Sequence, residues 1–237
     1  MRTSLDTRIK FSDIDSRSEV RFGSVIDILQ DCMNIQSESS GTGLAYQRQT
    51  KRVWVLSSWQ LDFHGRLRYD DIVTAQTWPY LFKGACGRRN AVIRKAGMCE
   101  PIVLADSVWA LLDVEKGCLC RLTETEGRQE ACEEPLAMDY RKGKIVRLKQ
   151  VREYPAFTVR QYQLDINRHM NNSWYVKLAE EFLDTREGIK SLRVEYKKQA
   201  RLGDTVLPYV GDDDTGRRVV ELRTSEQDLF AVIEFLK

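Results

Sequence analysis

The segment Asp165-Ile-Asn-Arg-His169 stands between a predicted strand and a predicted helix, and Asp13-Ile-Asp-Ser-Arg17 stands in the same setting 152 residues earlier. A second pair of similar segments, Arg68-Tyr-Asp-Asp71 and Arg201-Leu-Gly-Asp204, is separated by 133 residues. The shorter separation is expected because the first half carries an extra segment over 39–51. Two matching pairs in the same order predict that one structural unit occurs twice in the chain.

The first half begins with a helix predicted over about Phe22–Glu38, because apolar residues recur there at helical spacing. After the helix the period changes to alternation over 53–63, which is typical of a half-buried strand. Turn residues then separate three apolar runs, so three further strands are predicted near 72–81, 85–94 and 103–114.

The second half follows a polar stretch and repeats this order. The stretch 123–144 is rich in Glu, Arg, Gly and Lys and contains Pro135, which favours a linker with or without a short helix; the alternative is a helical excursion inside one domain. A strand near 157–164 and a helix near 174–183 come next. Four strands complete the half, near 192–198, 205–210, 218–224 and 229–235.

A helix with an apolar stripe needs an apolar concave face, and antiparallel strands joined by short turns supply one. The sequence therefore predicts an α+β chain with a tandem (double) hot-dog fold, in which two antiparallel sheets each wrap around a central helix. The predicted parts are an N-terminal half over 1–125, a linker over 126–150 and a C-terminal half over 151–237.

The composition excludes several classes of function. The net charge is only +2, so the whole-protein field gives no indication of a nucleic-acid partner, and none is expected. No apolar run is long enough for a membrane span, and the N-terminus has no signal peptide, which predicts a cytoplasmic protein. Six cysteines without a CxxC pair, and only two histidines, predict reduced thiols, no metal site and no cofactor.

The densest polar cluster is the segment that carries Asp165, Asn167 and His169. In extended backbone these positions point the same way, roughly 6–7 Å apart, so a carboxylate, an amide and an imidazole would converge beside the second helix. Asn171, Asn172 or Ser173 would cap that helix and leave free backbone N–H groups nearby. The alternative is that Asp and Asn are turn and cap residues and that the histidine is structural.

Thioester hydrolysis is a chemistry that this cluster can perform, because it needs an activated water or nucleophile and a stabilised oxyanion. Asp165 is predicted to act as base or nucleophile, His169 to orient and transfer protons, and Asn167 to donate hydrogen bonds. The first half has Asp13 at the place of Asp165 in this alignment, but Asp15 and Arg17 at the places of Asn167 and His169. The imidazole is the group that the first half lacks.

The segment Asp165-Ile-Asn-Arg-His-Met-Asn-Asn-Ser-Trp-Tyr175 resembles the DxNxHxNNxxY signature of the acyl-acyl carrier protein thioesterases of plants and bacteria. Further blocks of the chain are similar to that family: Trp54-Val-Leu-Ser57, Gly117-Cys-Leu-Cys-Arg-Leu122 and Val194-Glu-Tyr-Lys-Lys198. The resemblance implies a double hot-dog enzyme that releases fatty acid from acyl carrier protein and so terminates fatty acid synthesis. It also implies that the family's catalytic Asp, Asn and His are Asp165, Asn167 and His169.

The resemblance carries further expectations. Plant members usually show Glu then Cys where this chain has Gln199 and Ala200, so a cysteine nucleophile is excluded there; Gln199, like Asn172, is expected to bind water or substrate. The acyl chain is expected in the first half, and acidic acyl carrier protein, bearing a fatty acyl-phosphopantetheine, is expected to dock on basic residues. The expected acyl-pocket residues are Leu29, Val55 and Trp59, and the expected docking residues are Arg193, Lys197, Lys198 and Arg201.

Two other functions remain open at this point. An acyl-coenzyme A thioesterase would keep the fold and the reaction, and a non-catalytic acyl-binding hot-dog module would keep only the fold. The oligomeric state is open as well. Because a fused pair already satisfies the usual hot-dog dimer contact, a monomer or a homodimer is expected.

Overall fold

The computed structural model of the protein describes residues 2–127 and 132–237, and the predicted α+β double hot-dog class is confirmed. Its helices are α1 (Phe22–Ser39), α2 (Leu44–Thr50) and α3 (Asn172–Glu180). Its strands are β1 (Thr3–Arg8), β2 (Arg52–Phe63), β3 (Ile72–Lys83), β4 (Cys86–Lys95), β5 (Val103–Asp113), β6 (Cys118–Leu119), β7 (Arg152–Glu153), β8 (Phe157–Thr158), β9 (Ser191–Tyr196), β10 (Thr205–Asp212), β11 (Arg218–Arg223) and β12 (Leu229–Leu236).

The two sheets predicted from the sequence are joined edge to edge into one antiparallel sheet in the order β1-β3-β4-β5-β2-β9-β12-β11-β10-β7. The junction is the pairing of β2 with β9, where Gln60 lies opposite Arg193. On either side of that pair, Ser58 lies opposite Glu195 and Asp62 lies opposite Ser191. Equivalent strand residues of the two halves differ by 133, so this register places a pseudo-twofold axis between Gln60 and Arg193.

The central helices α1 and α3 pack against each other on the concave side of the sheet, and the same axis passes between them. Asp27 and Lys177 form an ion pair of 2.7 Å across the contact. Gly23 lies so close to α3 that a Cβ atom there would meet the Lys177 side chain at 2.3 Å and the Ser173 carbonyl oxygen at 3.2 Å. Equivalent residues of α1 and α3 differ by 150. Asp27 therefore contacts its own counterpart, Lys177, and Gly23 approaches its counterpart, Ser173, as well as Lys177 one helical turn further on.

The loops that precede α1 and α3 correct the alignment predicted from the sequence. Asp15 Oδ1 accepts hydrogen bonds from the backbone N–H groups of Arg17 (2.8 Å) and Glu19 (3.0 Å). Asp165 Oδ1 accepts the same two bonds from the N–H groups of Asn167 (2.8 Å) and His169 (3.1 Å). The counterpart of Asp165 is therefore Asp15, at an offset of 150, and not Asp13.

Asp13 has a different counterpart. Its carboxylate accepts from the backbone N–H of Lys10 at 2.8 Å, and Gln163 Oε1 accepts from the N–H of Arg160 at 2.8 Å. Asp13 and Gln163 thus stabilise matching 3-10 turns, Phe11–Asp13 and Gln161–Gln163. The prediction of a strand over 157–164 was therefore wrong beyond Thr158. After Thr158 the chain enters the 3-10 turn and does not continue along β10.

The segment 39–51, which only the first half possesses, contains α2.

The polar stretch that follows the first half crosses the outer face of the sheet. Over 132–150 the described chain has no helix or strand. Leu136 and Met138 pack on the buried Trp78 there, and Ile145 packs on Val219 and Val232. Part of the predicted linker, 128–131, lies outside the described residues.

Within the described chain, no helix is both long and apolar enough to cross a membrane.

Glu180, at the end of α3, stabilises the beginning of α1. Glu180 is 5% exposed, and its carboxylate accepts from the backbone N–H groups of Phe22 (2.9 Å) and Gly23 (3.0 Å). Arg186 donates to the same carboxylate at 2.6 Å, and it also pairs with Asp15. Burial raises the pKa of Glu180, whereas Arg186 and the two N–H groups oppose that rise.

Replacing Glu180 by alanine is expected to lower the free energy of unfolding by about 3–5 kcal/mol, because a buried guanidinium loses one carboxylate and two helical N–H groups lose their acceptors. Urea unfolding followed by circular dichroism measures the change. The exposed neighbour Glu181 is the matched control, and its alanine variant is expected to change stability by less than about 0.5 kcal/mol. Equal losses for the two variants would contradict the assigned role of Glu180.

Candidate active site

A cleft of about 530 Å³ lies between the two halves. One wall is formed by α2 and by the ends of β2 and β5 in the first half. The other wall is formed by the loop before α3, the first turn of α3 and the residues that follow β9. Asp165, Asn167 and His169 all line this cleft, together with Asn172 and Gln199. The structure thus brings together the five residues predicted for reaction and for water or substrate binding.

The backbone that positions Asp165, Asn167 and His169 is a tight turn, so the predicted extended arrangement was wrong. Arg168 adopts a left-handed backbone conformation with φ +62°, and the N–H of Asp165 donates to the His169 carbonyl oxygen at 2.8 Å. The Asp165 carboxylate closes the turn through Oδ1, which already accepts two backbone hydrogen bonds. Asp165 is therefore a turn residue and a cleft residue at the same time.

His169 is held beside Arg201 by an antiparallel bridge between their backbones. Its Nδ1 is buried and has no hydrogen-bond partner among the residues that the structure describes. Burial lowers the pKa of His169 below its ordinary value of 6.5; Asp165 opposes this effect, and the charge of Arg201 adds to it. The imidazole is therefore neutral near pH 7 and able to accept a proton.

Because the pKa of His169 is lowered, its neutral form persists to a lower pH than for an ordinary histidine. We expect the acid limb of the kcat/KM profile to lie below pH 6.5. Arg201→Gln removes a charge that lowers this pKa, so the pKa rises and the acid limb moves to higher pH. The matched control is Arg68→Gln, at the counterpart position in the first half. An unmoved limb in the Arg201 variant would contradict the assignment of that limb to His169.

The first turn of α3 is fixed from two sides. Asn171 caps the helix, since its Oδ1 accepts from the Ser173 backbone N–H at 3.0 Å, while Asn172 is the first helical residue and faces the cleft. The Tyr196 hydroxyl donates to the Asn172 carbonyl oxygen at 3.0 Å. The Tyr175 hydroxyl accepts from the Ala200 N–H at 2.9 Å, which holds the residue next to Gln199. Burial raises the pKa of Tyr175 to about 12, so this hydroxyl stays neutral.

The apolar part of the cleft differs from the prediction. Val55 lines it, but Leu29 (0% exposed) and Trp59 (2% exposed) lie in the core and do not line it. A β-bulge between Leu56 and Ser58 interrupts the alternation predicted over 53–63, so Val55 and Trp59 do not share one face of the strand. The apolar cleft residues that the sequence interpretation missed include Trp54, Leu56, Trp109 and Leu112.

Of the four predicted docking residues, the structure places only Lys197 and Lys198 on the cleft. Arg201 is exposed close by, but Arg193 was a wrong prediction. Its side chain is 14% exposed, donates to the Gly143 carbonyl oxygen at 2.7 Å and lies 3.4 Å from Glu234.

Basic residues also line the opposite wall, where Arg48 and Lys51 of the α2 region face the cleft. The sequence interpretation missed both. The signal available was the basic end of the extra 39–51 segment, which the second half lacks.

Comparisons with known proteins identify the family of this chain. The family model described as the acyl-ACP thioesterase N-terminal domain matches residues 3–127, and the C-terminal domain model matches residues 147–225. Oleoyl-acyl carrier protein thioesterase 2 of Arabidopsis thaliana chloroplasts is 25% identical over 206 residues, which cover 77% of this chain and 55% of that protein. The chloroplast palmitoyl-acyl carrier protein thioesterase of the same plant is 27% identical over 161 residues, which cover 62% of this chain and 38% of that protein. The chain thus spans about half the length, or less, of these curated relatives.

Solved structures share the fold over almost the whole chain. An acyl-ACP thioesterase from Bacteroides thetaiotaomicron has a TM-score of 0.89 at 17% identity, with 99% of this chain and 97% of that chain covered. The 12:0-ACP thioesterase from Umbellularia californica has a TM-score of 0.86 at 15% identity, with 99% and 96% covered.

Proposed function

Because this chain belongs to the acyl-ACP thioesterase family, we propose that it hydrolyses fatty acyl thioesters of acyl carrier protein to free fatty acid and carrier protein, and so terminates fatty acid synthesis. The observation that carries the proposal is the cleft in which a carboxylate, an amide and a neutral imidazole meet the first turn of α3 beside an apolar wall.

The proposed reaction uses the groups of the second half. Asp165 or His169 takes a proton from a water that attacks the thioester carbonyl, or Asp165 attacks first and water releases the acyl group. Asn167 and the backbone N–H of Asn172, the first residue of α3, donate to the oxygen that becomes negative. The C–S bond then breaks, and the proton passes to the leaving thiolate.

We propose that the two halves divide the substrate between them. The N-terminal half, 1–125, holds the acyl chain against Val55 and its apolar neighbours, and the C-terminal half, 151–237, holds the reacting groups, with 126–150 as the linker. The phosphopantetheine arm then enters past Gln199 and Asn172, where a glutamine and an asparagine amide can bind its polar atoms.

The test is turnover by the purified protein on matched acyl-carrier-protein and acyl-coenzyme A thioesters of several chain lengths. We expect hydrolysis of both, with a higher kcat/KM for the carrier-protein substrate. A clear preference for coenzyme A would establish the alternative acyl-CoA thioesterase. Tight acyl binding without turnover would establish a non-catalytic binding module.

Reversing the charge of Lys198 is expected to lower kcat/KM for the carrier-protein substrate by about 3- to 10-fold at low salt, because the carrier protein is acidic. No ion pair holds Lys198 within the described chain, whereas Lys197 pairs with Glu195. The variant Lys198→Glu is compared with Lys149→Glu, which changes the net charge equally at an exposed position away from the cleft. A loss that persists unchanged in high salt would contradict electrostatic docking.

Two expectations from the sequence stay predictions. Sedimentation equilibrium decides between a monomer and a homodimer, and cell fractionation tests the cytoplasmic location.

A further inference from the structure

The cleft opens at the place where the strands of the two halves separate. β2 pairs with β9 only from Ser58 onward, and within the described chain no other strand pairs with that edge of β2. Beyond Glu195 the second half keeps to β12, since the backbone N–H of Lys197 donates to the Phe230 carbonyl oxygen at 2.8 Å. The residues before Ser58 and those after Glu195 therefore form the two branches of a fork, and both branches line the cleft.

The first branch of the fork, Val53–Leu56, directs backbone groups into the gap. The Lys51 carbonyl oxygen accepts from the Val114 N–H at 2.9 Å, so it points to β5. Backbone groups alternate in direction along an antiparallel strand, so every second residue after Lys51 also points to β5. Trp54 and Leu56 lie between those residues, and their N–H and C=O groups point the other way, to the side that β9 has left.

These groups of Trp54 and Leu56 are without a strand partner in residues 2–127 and 132–237. Leu56 lies opposite Trp109. The backbone of Trp109 points to β4, as does that of Leu111, whose N–H donates to the Ala85 carbonyl oxygen at 2.8 Å. Leu56 is only 3% exposed, and backbone groups in such places are nearly always paired. A ligand that brings its own N–H and C=O groups would pair with them.

The matching fork at the other end of the β2–β9 junction is closed by protein. There the pairing continues, because the N–H of Phe63 donates to the Lys190 carbonyl oxygen at 2.8 Å. The guanidinium of Arg66 then spans the gap and donates to the carbonyl oxygens of Arg186 and, at 3.2 Å, of Ile189. An arginine thus occupies the place that a ligand would need.

The counterpart of Arg66 in the open fork is Gln199. Strand residues of the two halves differ by 133, and the match continues beyond the strands. The next residues, Leu67 and Ala200, each accept from a backbone N–H two residues before a central helix begins. Gln199 lines the cleft, is exposed and carries no charge, so it leaves unfilled the gap that Arg66 spans in the other copy.

We propose that the open edge of β2 at Trp54 and Leu56 binds the pantetheine arm of the substrate as an added strand, with the Gln199 amide on its other side. This inference rests on the proposed function. The arm is an extended chain with secondary amide groups, so it offers the N–H and C=O groups with which a strand edge pairs. The edge and Asp165 line the same cleft, so an arm bound there brings its thioester to the reacting groups.

The charges of the cleft favour this occupant over a peptide segment of another protein, which would offer the same amides. Arg48, Lys51 and Lys198 line the cleft, and no ion pair holds them within the described chain. Asp165 is the one acidic residue among the described residues of the lining. The phosphate at the end of the arm is attracted by these cations, and a peptide does not carry that group.

The first test exchanges the two counterparts. The substrates are acyl-pantetheine and the S-ethyl thioester of the same fatty acid, which has no amides. We expect the wild type to favour acyl-pantetheine by about 10- to 100-fold in kcat/KM, the size expected for a few hydrogen bonds. Gln199→Arg is expected to remove most of this preference, because its guanidinium closes the fork as Arg66 does.

Arg66→Gln is the matched control, and it is expected to lower Tm while keeping the wild-type preference. Equal kcat/KM of the wild type on the two thioesters would overturn the inference and leave the proposed function standing. Full preference retained in Gln199→Arg would overturn it as well.

Nuclear magnetic resonance supplies a readout that does not depend on turnover. The probe is a thioether analogue of acyl-pantetheine, which cannot be hydrolysed. We expect its binding to shift the backbone N–H signals of Trp54 and Leu56 more than those of Val53 and Val55, which point to β5. Unshifted signals of Trp54 and Leu56 at the highest soluble concentration of the analogue would overturn the inference, even if the wild type hydrolysed no thioester.

Discussion

Replacing His169 by alanine is expected to lower kcat on acyl-carrier-protein substrate by about 10²- to 10⁴-fold, the range that general acid–base groups contribute. The imidazole is one of the two proton acceptors in the proposed reaction, and its Nδ1 has no hydrogen-bond partner among the described residues that the substitution would remove. The melting temperature is therefore expected to change little. Steady-state kinetics and thermal unfolding of the same preparation measure both quantities.

The control for His169 is the other histidine of the chain, His64, which is exposed and does not line the cleft. His64→Ala is expected to keep wild-type kcat. Unchanged turnover in His169→Ala would remove this residue from the mechanism. A large fall in Tm together with the loss of activity would show that the histidine is structural.

Asp165→Asn is expected to lower kcat by about 10²- to 10⁴-fold while the loop keeps its shape. The asparagine side chain retains an oxygen that can accept from the N–H groups of Asn167 and His169, as Oδ1 does now. What the variant loses is the charge and the ability to take a proton or to attack. Kinetics measure the loss, and circular dichroism with thermal unfolding measures the integrity of the fold.

The counterpart Asp15 separates chemistry from structure. Asp15 closes the same kind of turn but pairs with Arg186 instead of facing the cleft. Asp15→Asn is therefore expected to lower Tm and to keep kcat. If the two variants lost activity to the same extent, the effect of Asp165 would have to be assigned to the turn and not to the reaction.

The repeat and the place of the reacting groups could be predicted from the sequence because they leave local signals. The apolar stripe of α1 and the alternation in the strands each reflect one buried face. The offset of the loops was wrong by two residues because the first half has Asp at both 13 and 15, each able to match Asp165 by residue type. Only the hydrogen bonds distinguish them: Asp15 closes the turn, whereas Asp13 stabilises the preceding 3-10 turn.

Other features left no such signal. Arg168 takes a left-handed conformation that residues other than glycine, asparagine and aspartate rarely adopt, so the turn before α3 looked like a strand. The bulge between Leu56 and Ser58 changes which residues of β2 share a face. No glycine stands at 56–58 to indicate a bulge there. Arg193 looked like a docking residue because its ion pair with Glu234 joins strands that are distant in the chain.

The pseudo-twofold arrangement has a consequence for how such a protein can change over time. In a homodimer of identical hot-dog subunits, one codon sets the residue at both related places, so any substitution alters both sites together. Covalent fusion removes that constraint: position 180 holds a glutamate that accepts from the backbone N–H of Phe22, while its counterpart, position 30, holds a glutamine. One half can then change in ways that only stabilise the fold, while the other can change in the residues that line the cleft.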